Sequence, residues 1–155
     1  MLKIRHPIQD KEATQIACRI VEGYGGHINF CRLMQLLYVF EREAWDKLEH
    51  PAIGGAYFST QAGPMISELG DTAKLGRFQI WSTHLSKKAQ GEAAEVCLLG
   101  PAGRDDISDA LLAIIDSVIE RTRAWKNQRL QMYCRNLEEY KQPSSPKPKL
   151  FVTRV

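Results

Sequence analysis

Four histidines (His6, His27, His50, His84) and four cysteines (Cys18, Cys31, Cys97, Cys134) are the side chains of this 155-residue chain best suited to hold a metal or act as nucleophiles. A common zinc site takes two ligands from one short turn, as in CxxC. Here the histidines are scattered, the cysteines never form CxxC, and no metal site is expected. Nucleophilic catalysis needs a Ser or Cys beside a His that an acid orients. The chain has no GxSxG and no Cys-His signature. Each Cys stands among apolar neighbours, where a thiol serves as a small hydrophobe. Phosphate-binding loops usually place glycines after a strand and follow them with Lys-Ser/Thr. Gly23-Tyr24-Gly25-Gly26 follows a helical pattern instead, and Gly54-Gly55 precedes a strand pattern, so both are expected to be turns. The charged run Glu41, Arg42, Glu43, Asp46 and Lys47 has two readings. One is a solvated helix face. The other is that Glu41 or Arg42 turns inward and ties its helix to the strand turn, because a buried charge must be paired. Trp45, Trp81 and Trp125 are read first as core, although Trp also anchors interfaces. These residues predict no catalytic set, no cofactor and no metal; the expectation is a binder, not an enzyme.

The elements that carry these side chains follow from hydrophobic spacing. Asp10 is expected to cap a first helix, in which Ala13, Ile16, Ala17, Ile20 and Val21 share a face. Gly23, Gly25 and Gly26 end it. Asn29 is expected to cap a long second helix, where Phe30, Leu33, Met34, Leu37, Phe40, Ala44, Trp45 and Leu48 recur at helical steps. Leu36 and Tyr38 widen that face enough for the central helix of a bundle. His50-Pro51 ends this helix, and residues 56–60 read as a strand. Gly63-Pro64 predicts the start of a third helix, because Pro suits the first helical position. Glu68 falls in its first turn, Gly70 weakens it and Gly76 ends it. Residues 77–94 show little pattern, with Lys87 to Gly91 expected to be exposed. Residues 95–99 read as a second strand whose natural partner is 57–60. Ser108 is expected to cap a fourth helix with Leu111, Leu112, Ile115, Val118 and Ile119 inward. A fifth runs from about Trp125 to Arg135, anchored by Trp125, Leu130 and Tyr133.

The expected fold class is therefore mainly α (α+β): one helical-bundle domain over residues 1–143 with a small two- or three-stranded antiparallel β-element. Residues 144–155 are expected to form an extended basic tail, because Pro146 and Pro148 forbid a helix. With 44% hydrophobic and 25% charged residues, the chain can bury one core and is not a disordered one. The net charge of +3 is small, and basic residues alternate with acidic ones outside the tail, which argues against nucleic acid as a partner. No apolar leader and no run of about 18 apolar residues is present, so a cytoplasmic protein without membrane attachment is expected.

The order of several short motifs is distinctive. Arg32-Leu33-Met34-Gln35-Leu36-Leu37-Tyr38 is followed by Glu41-Arg42, Tyr57, Gly63-Pro64-Met65 and Ser67-Glu68. Ile107-Ser108 then precedes an apolar helix, and Cys134-Arg135-Asn136-Leu137-Glu138-Glu139-Tyr140-Lys141-Gln142-Pro143 closes the series. This succession resembles the Panacea domain family, also called SocA-like. That family typically shows a KLxKLLY-like helix, an aromatic strand, GPxxSE, an LS-capped helix and an ending of the form HxxLPEWxxP. The similarity covers roughly residues 11 to 143. It departs where Arg32 or Gln35 stands for a Lys, Cys134 for a His, Glu138 for a Pro and Tyr140 for a Trp.

The resemblance implies an antitoxin that neutralises a toxin encoded beside it, often in a prophage, by direct binding or by delivering the toxin for proteolysis. Its implied partner is that cognate toxin, with a homodimer left open. The motif residues it marks as partner-binding or family-defining are Arg32, Tyr38, Arg42, Tyr57, Gly63, Pro64, Ser67, Glu68 and Tyr140. Most of them are expected to hold the helix–strand–helix unit together. The toxin would then meet exposed residues near the strand pair and the Gly63-Pro64 turn, where the pair's open edges could accept another chain. Two alternatives stand beside this: a phage-associated interaction protein with a different protein partner, and a nucleic-acid-binding regulator that uses the basic tail.

Overall fold

The computed structural model describes residues 7–70, 78–89, 94–140 and 149–150. Its centre is α2 (Phe30–Leu48), capped as expected by Asn29, whose side-chain oxygen accepts the Arg32 N–H at 3.0 Å. Every residue from Arg32 to Glu41 is buried, so the broad apolar face is a helix enclosed on most sides. Glu49 ends it in the left-handed region, at φ 60°, just ahead of Pro51. Around it pack α1 (Asp10–Gly23), α5 (Asp109–Thr122) and α6 (Asn127–Arg135). Ile16, Ile20, Leu33, Leu37, Ile115, Val118 and Leu130 meet in one core. Ser108 caps α5 by accepting the Leu111 N–H. Of the residues expected inward on α5, Leu111 is only half-buried, and Ile114 joins the core.

Four expectations change. Asp10 does not cap α1; it is the first helical residue. Its carboxylate instead accepts the N–H groups of Ile80 and Trp81, each at 3.2 Å, at the start of α4 (Gln79–His84). An exposed helix N-terminus attracts a carboxylate from anywhere in the fold that can reach it. Residues 63–66 are not helical. They form β3 (Gly63–Ile66), a hairpin with β2 (Tyr57–Thr60), and the short helix α3 (Ser67–Gly70) starts only at Ser67. Thr60 Oγ1 donates to Gly63 O at 2.6 Å and so closes the turn, while Pro64 is tolerated because β3 is an outer strand. Residues 57–60 do not pair with 95–98. Instead β5 (Glu95–Leu98) lies between β1 (His27–Asn29) and β4 (Leu85–Lys88) in a separate antiparallel sheet. Lys87, expected to be exposed, lies over the Phe30 ring at 4.2 Å; Lys88 and Ala89 are exposed.

The second sheet has the order β3-β2-β6, where β6 (Lys149–Leu150) pairs with Phe58 and Ser59. The rest of the expected tail, and the expected helix end at Gly76, lie outside the described residues. Among the described residues no helix is long and apolar enough to cross a membrane.

Candidate functional site

Two charged side chains of α2 turn into the protein and hold the elements on either side. Arg32, 7% exposed, is the clamp nearer the N-terminus of the helix. Its guanidinium donates to Thr122 O at 2.6 Å, Trp125 O at 2.7 Å and Asn127 Oδ1 at 3.0 Å, and it lies against Tyr24. A fixed cation thereby joins the last carbonyl of α5, where the helix dipole favours positive charge, to the turn that leads into α6. Glu41, 1% exposed, does the converse. Its Oε1 accepts the N–H groups of Ala52 and Ile53 at 2.8 and 2.9 Å; its Oε2 accepts the Gly54 N–H at 2.7 Å and the Tyr57 hydroxyl at 2.9 Å. Of the two readings of the charged run, Glu41 therefore follows the inward one, and it ties α2 to the loop before β2.

Next to it on α2, Arg42 Nε donates to Glu139 Oε2 at 2.7 Å, and the Tyr38 hydroxyl donates to the same oxygen at 2.6 Å. Tyr38, Glu41, Arg42, Trp45, Asp46, Tyr57 and Glu139 line a cavity of about 30 Å³, room for roughly one water molecule. The rings of Tyr38 and Trp45 stand edge-on to Tyr57 at 6.0 and 6.5 Å. Burial pushes the Glu41 carboxyl up from its ordinary range, against the opposing pull of its hydrogen bonds. Burial acts the same way on Glu139, but the bonds from Tyr38 and Arg42 outweigh it and hold that carboxyl low. Burial, and for each the adjacent carboxylate, pushes both tyrosine hydroxyls up, so they stay protonated as donors.

The remaining motif residues complete the same frame. Gly63 sits at φ +123°, and a Cβ there would fall 2.8 Å from that of Cys134. The buried Cys134 thus packs against the hairpin turn, and burial pushes its thiol up to about 12. Pro64 is buried opposite Ser59 in the hairpin. The Ser67 N–H bonds Ala56 O, while Glu68 Oε1 accepts the Ala56 N–H at 2.9 Å. Gly55, at φ +90°, leaves the room this needs, since a Cβ would stand 3.0 Å from that Glu68 oxygen. The Tyr140 hydroxyl donates to Thr60 O at 2.7 Å, pinning the chain after α6 to the end of β2.

The structure thus brings Tyr38, Arg42 and Tyr57 together. Gly63, Pro64, Ser67, Glu68 and Tyr140 surround the hairpin, and Arg32 stands apart at the α5–α6 turn. Sequence reading missed Glu139 as the partner of Arg42 and Tyr38. Its only signal was an acid one residue before the aromatic slot of the closing motif. The strand pair expected to carry open edges does not form, and residues 57–60 are the middle strand of their sheet, with β3 at one edge. Chemically the arrangement binds parts of the chain to one another. The Cys18 thiol is also pushed up to about 12 by burial, and among the described residues no group of three or more His, Cys, Asp or Glu could hold a metal ion.

A family model described as antitoxin SocA-like, Panacea domain matches residues 33–141. Comparison with curated proteins and with solved structures gives no match.

Proposed function

The chain belongs to the SocA-like Panacea domain family, and from that premise we propose that it is an antitoxin which neutralises a cognate toxin by direct protein–protein binding. The family match over residues 33–141 carries this reading. The use of the motif side chains agrees with it. Arg32, Tyr38, Arg42, Tyr57, Glu68 and Tyr140 each bond within the chain, which suits a rigid scaffold that presents a surface better than a site that turns over a substrate. The protein acts as a binder in the cytoplasm, without enzymatic activity of its own, on a toxin encoded next to it in a prophage-like setting.

The test is co-expression. The product of each adjacent gene is induced with and without this chain, growth is followed, and the chain is purified to see what accompanies it. The expected result is that one product arrests growth, that this chain restores it, and that the two copurify in a fixed ratio. Arrest that this chain never relieves, with no complex, rules the reading out.

A further inference from the structure

Helix α6 and the turn before it carry a surface that the clamps above do not use. From Arg121 to Leu137 the chain has five cations and no acid. Arg121 and Arg123 are tied down, to Glu43 and to Gly23 O. Arg129 and Arg135 lie over rings instead. Arg129 is 4.5 Å from the centre of Trp125, and Arg135 is 5.9 Å from that of Tyr140. Neither makes an ion pair among the described residues. Between them stands Met132, 64% exposed, the most exposed large hydrophobic among those residues. Steps of three along α6 set Arg129, Met132 and Arg135 apart from Leu130 and Cys134, which are buried in the core, and Trp125 of the preceding turn lies under Arg129. Shallow hollows flank Met132, one bordered by Trp125, Arg129 and Tyr133, the other by Arg135, Asn136 and Tyr140.

Trp, Tyr, Arg and Met are the side chains that interfaces concentrate. A guanidinium already stacked on a ring loses less freedom when a partner arrives. The platform is also held from beneath, because Arg32 grips Thr122 O, Trp125 O and Asn127. The geometry points to the α6 face as the docking surface for the toxin. The toxin would present an acidic patch to Arg129 and Arg135 around an apolar side chain that seats on Met132. This rests on the antitoxin reading and deepens it by naming the face and the chemistry of the partner. Nucleic acid fits less well. Single strands bind by stacking bases on open rings, and here Arg129 covers the Trp125 ring while Tyr133 tilts against it at 5.4 Å.

The test uses the full chain with the tagged product of the adjacent gene. The double variant R129E/M132D and the single variant R135E are compared with K88E, an exposed site on β4. R129E/M132D is expected to weaken the complex by about 30-fold or more at physiological salt and to abolish growth rescue. R135E should weaken it less, K88E should leave it unchanged, and wild-type affinity should fall as salt rises. Arg129, Met132 and Lys88 face solvent and Arg135 is half-buried, so melting of each variant is measured beside binding; if the double variant melts early, R129E alone and R135E decide. A complex that survives both α6 variants overturns this inference and leaves the antitoxin reading standing. A wild-type chain that binds no adjacent product overturns that reading, and this inference with it. Labelled poly-dT or poly-U bound by the wild type and lost in R129E/M132D, with the toxin complex untouched, assigns the face to nucleic acid and overturns the inference.

Discussion

Glu41 and Glu139 line the same small cavity and are held by unlike means. Glu41 has only neutral donors, three amides and a phenol, and is almost fully buried. Glu139 keeps 19% of its side chain exposed and has a counter-charge, Arg42, beside the Tyr38 hydroxyl. Desolvation wins at the first, so its carboxyl lies above the ordinary value of 4.5; the bonds from Tyr38 and Arg42 win at the second, and it lies below. The lesson is that bonds lower a carboxyl only where they outweigh its loss of water: Glu41, almost fully buried, stays above the ordinary value, whereas partly exposed Glu139, bonded by Tyr38 and Arg42, falls below it.

The largest effect should come from removing the dipole-held group. Glu41→Ala leaves three amides and the Tyr57 hydroxyl without their acceptor in a buried site, and should cost about 4 kcal/mol in urea unfolding. Glu41→Gln, which keeps one acceptor oxygen, should cost about 2 kcal/mol. If the two cost the same, the amides are not what this carboxylate serves. Arg42→Met should cost about 1–2 kcal/mol, because the Glu139 pair is partly solvated, and should let the Glu139 carboxyl titrate higher, as read by NMR. The pH dependence separates the two groups by sign. Glu139 titrates below 4.5 in the folded protein, so its stabilisation is present above the unfolded value and is lost as pH falls through the folded one. Glu41 titrates above 4.5, so the pH-linked part of its contribution is full below the unfolded value and is lost as pH rises through the folded one. Wild-type minus E139Q and wild-type minus E41Q stability curves should therefore slope in opposite directions, and slopes of one sign would erase the contrast. Smallest of all, Tyr38→Phe and Tyr57→Phe should each cost about 1 kcal/mol, the first raising Glu139 and the second Glu41.

Much of this frame was legible in the sequence. The steps of three and four along α2 announce an enclosed helix, and Asn29 and Ser108 cap where short polar side chains before apolar runs should. The inward turn of Glu41 could be weighed because a charge amid a wide apolar face must be paired. What remained hidden depends on contacts between distant residues. Pro64 is equally at home opening a helix or lying in an outer strand, and only the hairpin partners Tyr57 to Thr60 decide between them. Strand 95–98 found β1, a three-residue segment too short to register as a strand by pattern. Nothing near Arg42 in the chain points to Glu139, which lies 97 residues on. Met132 reads in sequence as one more apolar residue of a helix; its exposure follows from which side of α6 meets the core.

Arg32 has a consequence in the order of events. Its bonds to Thr122 and Trp125 span 90 and 93 positions of the chain. Closing so long a loop is slow and comes late, after local helices have formed. A chain cut before residue 122 would leave the Arg32 guanidinium without those acceptors, so α2 and the turn between α5 and α6 should become ordered together rather than one after the other.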